Sequence, residues 1–152
     1  MHVRFQTRVA MAATAALLVA VPLTGAARAG GSPSSTDLTG AEEVPGPGGS
    51  DATGFADLLL NQGTGQVCFV LSWADIDGTV VAAHIHDGDS GVAGPVVVPL
   101  FMEEHEGTDA VSNCVTADRA LIKDIRKNPA GYYVNVHSDV FPAGAIRGQL
   151  GD

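Results

Sequence analysis

The sequence predicts an all-β fold, a Greek-key β-sandwich or barrel of about seven or eight strands with one short helix. Three observations support this prediction. Short runs rich in Val, Phe, Tyr and Trp recur along the chain, and clusters of Gly, Asp and Pro separate them at short intervals. One segment, 118–127, instead spaces its apolar residues as an amphipathic helix does. The length of 152 residues suits one domain with one hydrophobic core.

The N-terminal segment is predicted to be a signal peptide. Two arginines in the first eight residues precede an uncharged apolar stretch at 9–23, and an Ala-x-Ala site follows that places cleavage after Ala29. The apolar stretch is shorter than the roughly 20 residues of a membrane-spanning helix, and Pro22 interrupts it. We therefore expect a signal peptide at 1–29, a secreted or extracytoplasmic protein, and no membrane span after cleavage.

The elements of the mature chain follow from the same patterns. Residues 30–36 are small and polar, so we expect a flexible leader there and the domain itself at 37–152. The helix is predicted over 118–127, with Asp118 as its cap and Asn128-Pro129 as its stop. Strands are predicted at 53–60, 65–73, 79–86, 95–101, 110–115, 132–137 and 145–150, with a candidate edge strand at 38–44.

The charge balance restricts the class of partner. The chain has 17 acidic and 8 basic residues, a net charge of −9, and loss of the signal peptide removes three of the arginines. An acidic surface repels nucleic acid and anionic lipid, because both are bound through Lys and Arg. We therefore expect no nucleic acid partner, and the open alternatives are an extracellular protein or a metal ion.

The two cysteines, Cys68 and Cys114, both lie in apolar, strand-like surroundings. In an oxidising compartment such a pair is expected to form a disulfide, with two free thiols as the alternative. On the chain-entropy model this link would stabilise the fold by about 3–4 kcal/mol.

Two predicted strands carry histidines at alternating positions. Residues 83–86 read Ala-His-Ile-His, and residues 133–137 read Tyr-Val-Asn-Val-His. Alternate side chains of a strand share one face, so His84 and His86 project together, and His137 shares a face with Asn135 and Tyr133. If these strands are neighbours, three imidazoles converge into a site that suits copper or zinc and leaves room for water.

Other interpretations of these residues remain open at this stage. The imidazoles could instead be half-buried and hydrogen-bonded to loop carbonyls or to Asp87, Asn135 and Tyr133. His105 is a candidate fourth ligand, although its Glu-Glu-His-Glu setting is typical of a solvated loop.

The C-terminal hairpin extends the histidine face. If His137 lies opposite Ala145, an antiparallel register places Arg147 opposite Asn135, and Gln149 joins the same face. A slip of one residue would send Arg147 to the other face. In the predicted register, Arg147 could hold a carboxylate, fix a loop carbonyl or receive an anion.

The remaining candidate sites are weaker. Asp87 and Asp89 alternate with glycine as in a calcium-binding turn, but further ligands are missing and a plain surface turn is the alternative. The acidic pairs 42–43 and 103–104 fit solvated loops or edges. No serine has the Gly-x-Ser-x-Gly setting, so no catalytic residue is assigned.

Several of these motifs, taken in order, carry a resemblance to a known family. The chain resembles the CHRD domain, which is named for chordin and also occurs alone in secreted bacterial proteins. The resemblance implies an exported binding or structural module, and chordin's ligands are not transferred, because the cysteine-rich modules are missing. The matching motifs are at 38–45, 83–86, 94–97, 133–137 and 144–150.

A second resemblance is to copper–zinc superoxide dismutase, another Greek-key β-barrel. The order His84, His86, His105, His137 and Arg147 is similar, but the histidine-rich zinc loop of that enzyme is missing. We therefore expect a module without catalytic activity that binds copper or zinc through its strand histidines. An extracellular interaction domain without metal is the alternative, followed by a dismutase-like enzyme.

Overall fold

The computed structural model describes residues 30–151, so the predicted signal peptide at 1–29 lies outside the described residues. The described part contains eight strands, one α-helix and two short 3-10 helices, at Gly40–Glu42 and Pro129–Gly131. The helix, α1, is Arg119–Lys127. The strands are β1 Ser32–Thr39, β2 Thr53–Asn61, β3 Gln66–Ala74, β4 Val80–Asp87, β5 Val96–Phe101, β6 Ala110–Thr116, β7 Tyr132–Ser138 and β8 Ile146–Gln149. No helix among residues 30–151 is long and apolar enough to cross a membrane.

All eight strands belong to one antiparallel sheet with the order β5-β4-β7-β8-β1-β2-β3-β6. The two terminal strands, β5 and β6, approach each other, so the sheet curls into a nearly closed barrel. This architecture confirms the predicted all-β fold with its single short helix.

The hydrophobic core fills the inside of this barrel. In β2 and β3 buried and more exposed residues alternate, as expected for strands with one face toward the core. Helix α1 adds Ile122 and Ile125, both fully buried, and each such side chain contributes about 1.5–3 kcal/mol on burial. The predicted cap is confirmed, because the Asp118 carboxylate accepts from the backbone N–H groups of Ala120 and Leu121 at 2.8 and 3.0 Å.

The start of the domain differs from the sequence expectation. Most of the flexible leader expected at 30–36 belongs instead to β1, which begins at Ser32 and pairs with β2 along its whole length. The candidate edge strand at 38–44 is also wrong, since the strand ends at Thr39 and β1 lies inside the sheet, between β8 and β2. Backbone pairing and the burial of Leu38 outweigh the low strand propensity of this polar segment.

The predicted disulfide is confirmed. Cys68 of β3 and Cys114 of β6 lie directly opposite each other, with a Cα–Cα distance of 3.9 Å. The link fastens the terminal strand β6 to the rest of the sheet.

Candidate metal centre

Strands β4 and β7 are antiparallel neighbours, as the metal hypothesis requires. His84 pairs with Asn135 and His86 pairs with Tyr133, while Ile85 between them faces the core. The register of β4 shifts between residues 83 and 84 and between residues 85 and 86 against its other neighbour, β5. Such irregularities re-aim side chains locally and are common beside functional sites.

The hairpin of β7 and β8 has the predicted register. Arg147 lies opposite Asn135, and Gln149 lies opposite Tyr133. The polar side chains of β4, β7 and β8 therefore share one face, on the side of the sheet opposite the hydrophobic core.

This polar face is buried, because three loops cover it. His84, His86 and His137 are only 9, 8 and 9% exposed. The covering loops contribute hydrogen-bond partners through Glu43, Gly94 and Pro142.

The three imidazoles converge. The Nδ1 atom of His84 lies 3.0 Å from Nε2 of His137, and one nitrogen from each of the three rings lies within 4.8 Å of the others. Two nitrogens bound to one zinc at about 2.0–2.1 Å can be at most about 4.2 Å apart. A small side-chain rotation would therefore bring the three rings to distances that permit shared ligation.

Hydrogen bonds to loop carbonyls fix the orientation of two rings. His86 donates from Nδ1 to the Gly94 carbonyl at 2.9 Å, and His137 donates from Nδ1 to the Pro142 carbonyl at 3.1 Å. A carbonyl only accepts, so each Nδ1 carries the proton and each Nε2 keeps its lone pair. Metal-bound histidines usually donate their second ring N–H in this way.

The second nitrogen of His86 distinguishes the open interpretations. Loop carbonyls do satisfy one nitrogen of His86 and one of His137, as the hydrogen-bonding alternative expects. His86 Nε2, however, is buried and has no hydrogen-bond partner within residues 30–151. A buried polar atom without a partner costs about 1–3 kcal/mol, and a metal ion would remove that cost.

Burial keeps these rings neutral. It lowers the pKa of His84 to about 4, with further contributions from nearby His137 and His86. Burial also lowers the pKa of His86 and of His137. Neutral imidazole is the form that binds metal, so no ring has to lose a positive charge near neutral pH. Ligation would break the hydrogen bond between His84 and His137 and would move the Nδ1 proton of His84 to its Nε2.

Arg147 fixes loop carbonyls, one of its three predicted roles. It is 1% exposed and donates to the carbonyls of Val92 and Asp89 at 2.9 and 3.0 Å. Its guanidinium carbon lies 3.4 Å from the centre of the Tyr133 ring, which in turn stacks on His86 at 4.7 Å. Arg147 therefore holds the Tyr133 ring in place, and this ring in turn packs against His86, a candidate metal ligand.

The loop that follows β4 is held by β8. Besides the bonds from Arg147, the Gln149 amide donates to the Gly88 carbonyl at 2.8 Å. Calcium binds through oxygen ligands such as backbone carbonyls. The Asp89 carbonyl already accepts a hydrogen bond from the Arg147 guanidinium. The turn at Asp87 and Asp89 thus has a structural explanation within this loop.

His105 lies away from the other histidines. Its backbone N–H donates to the Val80 carbonyl at 2.8 Å, and its ring contacts Phe101 at a centroid distance of 4.6 Å and Trp73 at 6.1 Å. Because Phe101 and Trp73 belong to the core, this ring packs on the apolar side of the sheet. The structure does not bring His105 into the candidate metal centre.

Glu43 also belongs to the buried polar face, although the sequence analysis placed it in a solvated loop or edge. It is 5% exposed, and both of its carboxylate oxygens accept from Asn135 Nδ2, at 2.7 and 2.9 Å. Burial raises its pKa to about 7, although Arg147 and Asn135 oppose the shift. Gly144, at φ +148°, lies so close to this carboxylate that a Cβ would collide with it. The one sequence signal was its place in the motif at 38–45.

Comparison with known proteins agrees with this fold and face. The CHRD domain model matches residues 34–150. No curated protein matches the chain, and no solved structure matches it. The family match covers nearly all of the described residues, including every strand that contributes to the buried polar face. The chain therefore belongs to the CHRD domain family.

Proposed function

We propose that this CHRD domain is a secreted module that binds one copper or zinc ion. The ligands are Nδ1 of His84 and Nε2 of His86 and His137. The observation that carries the proposal is the buried Nε2 of His86, which has no hydrogen-bond partner among the described residues and belongs to a group of three converging imidazoles.

The donor set favours these metals. Imidazole nitrogen suits copper and zinc, whereas calcium and magnesium prefer oxygen. Three protein ligands leave one position open, which is the arrangement of exchangeable rather than structural zinc sites. The disulfide and the predicted signal peptide at 1–29 support an extracytoplasmic location, where thiols are oxidised.

Calorimetry on the purified, chelator-treated protein tests this proposal. We expect binding of one equivalent of copper or zinc, weakened by at least about 100-fold in His84→Ala and in His137→Ala. His105→Ala is the matched control, because His105 lies outside the candidate centre, and it should bind metal as the unmodified protein does. Equal affinity in all three variants would reject the site.

An extracellular interaction domain without metal is the second candidate function. The observation that favours it is the 3.0 Å hydrogen bond between His84 and His137, which satisfies both nitrogens without an ion. In that case the histidine substitutions lower the melting temperature equally with and without added metal. A dismutase-like enzyme gains less support, because the donors of Arg147 are directed to Val92 and Asp89 rather than to an incoming anion.

A further inference from the structure

We infer that Asn135 makes the open coordination position selective. The position favours a ligand whose metal-bound atom carries a hydrogen, such as water, and disfavours small anions. This inference rests on the proposed metal centre and deepens it. It concerns which molecule completes the coordination of an ion held by His84, His86 and His137.

Asn135 lies at the centre of the buried polar face. It is 2% exposed, it pairs with His84 across the two strands, and it precedes His137 by two residues on β7. Directly opposed residues of neighbouring strands have Cβ atoms about 4.5–5.5 Å apart. Its amide therefore projects from the sheet beside two of the three candidate ligands.

Glu43 fixes the direction of this amide. Asn135 donates from Nδ2 to both carboxylate oxygens of Glu43. The opposite amide orientation would set Oδ1, an acceptor, against an acceptor. The Oδ1 atom is consequently held away from Glu43.

No protein donor within residues 30–151 reaches this Oδ1 atom, although the atom is buried. The nearby donors are committed elsewhere. Arg147 donates to Val92, Asp89 and Gln149, and His137 donates from Nδ1 to Pro142. Two buried atoms on this face therefore have no hydrogen-bond partner among residues 30–151, namely His86 Nε2 and Asn135 Oδ1.

A metal ion that carries a bound water would satisfy both atoms. A metal ion accepts the lone pair of His86, and a water molecule on that ion donates a hydrogen to Asn135 Oδ1. A small anion at the same position sets its own lone pairs against Oδ1. The site therefore discriminates by hydrogen-bond donation.

Cobalt(II), a spectroscopic substitute for zinc, provides the test. The loaded protein is titrated with azide, and the visible absorption of cobalt reports replacement of the bound water. We expect Asn135→Leu to bind azide at least tenfold more tightly than the unmodified protein. Glu43→Gln, which removes the charge but keeps an acceptor for Nδ2, should change azide affinity less than Asn135→Leu does. Asn113→Leu, the same substitution on an exposed position of β6, should leave azide affinity unchanged.

A measurement on the unmodified protein remains if Asn135→Leu fails to fold. Electron–nuclear double resonance of the copper form, in H2O and in D2O, should detect exchangeable protons of a bound water. Two outcomes would overturn this inference and leave the metal centre intact. One is the absence of these proton signals, and the other is unchanged azide affinity in an Asn135→Leu variant that folds and binds cobalt. Failure of the unmodified protein to bind either metal would overturn both.

Discussion

Strands β2 and β3 pair over nine residues without a register shift, whereas β4 has register shifts against both of its neighbours. The regular half of the sheet, β1-β2-β3-β6, carries the disulfide. The irregular half, β5-β4-β7-β8, carries the three converging histidines.

The outer faces of the two halves also differ. In the regular half the outer face is open, and Phe55 and Val70 are 42 and 48% exposed. In the irregular half loops cover the outer face, and all seven residues of β7 are buried. The comparison indicates that alternation, pairing and the disulfide hold the first half, while the second also needs hydrogen bonds between strand side chains and loop backbone.

The largest expected effect concerns Arg147, which connects β8 to the loop after β4. Arg147→Ala leaves the carbonyls of Val92 and Asp89 without their donor and uncovers Tyr133. We therefore expect the free energy of unfolding to fall by about 3–5 kcal/mol. Urea unfolding measures it. The matched control is Arg126→Ala, at an exposed position of helix α1, where a loss below about 1 kcal/mol is expected. Similar losses in both variants would remove the proposed difference between the halves.

Removal of the disulfide should affect the regular half alone. The double variant Cys68→Ala, Cys114→Ala opens a link between residues 46 positions apart, so we expect a loss of about 3–4 kcal/mol in the free energy of unfolding. Metal affinity should stay the same, because the cysteines lie on β3 and β6. A parallel loss of metal affinity, measured by calorimetry, would show that the halves are coupled.

The buried histidines predict a pH dependence of the metal-free protein. The pKa of His84 is about 4 in the folded chain and about 6.5 when unfolded, so between these values the unfolded chain binds more protons. The stability present above pH 6.5 is therefore lost as the pH falls toward 4. Glu43 acts oppositely, since its raised pKa reduces stability as the pH rises from 4.5 to 7.

Melting temperatures between pH 4 and 8 separate these two contributions. His84→Asn should flatten the decline on the acid side, and Glu43→Gln should gain relative to the unmodified protein above pH 7. An unchanged acid decline in His84→Asn would assign the pH dependence to other groups.

The smallest effect is expected on the open face of the regular half. Phe55→Ser changes a half-exposed side chain that faces solvent on β2, so we expect a change within about 0.5 kcal/mol and no change in metal affinity. A large loss in urea unfolding would indicate that this face is covered in solution.

Strand alternation was enough to predict the histidine face. It placed His84 and His86 on one face of β4 and His137 on the face of β7 that carries Asn135, and the pairing of β4 with β7 then brought the three rings together. The short connection after β7 was enough to predict Arg147 opposite Asn135. These features depend on local geometry, which a sequence records directly.

Features that depend on tertiary contacts were missed. Glu43 is part of the site only because a distant loop folds over β7, and β1 is a strand only because two neighbours pair with its polar residues. His105 was placed in a solvated loop, although its ring packs on Phe101. No pattern in the surrounding residues carries this information.

The complete burial of β7 has a consequence for where this domain tolerates substitution. A strand normally offers one side to solvent, and that side tolerates change. Here each position serves either the apolar interior or the polar layer, so neither side is free to vary. Substitutions that alter the proposed metal centre without unfolding the domain should therefore be tolerated better in the covering segments at 43–49, 88–94 and 139–145 than in β7 itself.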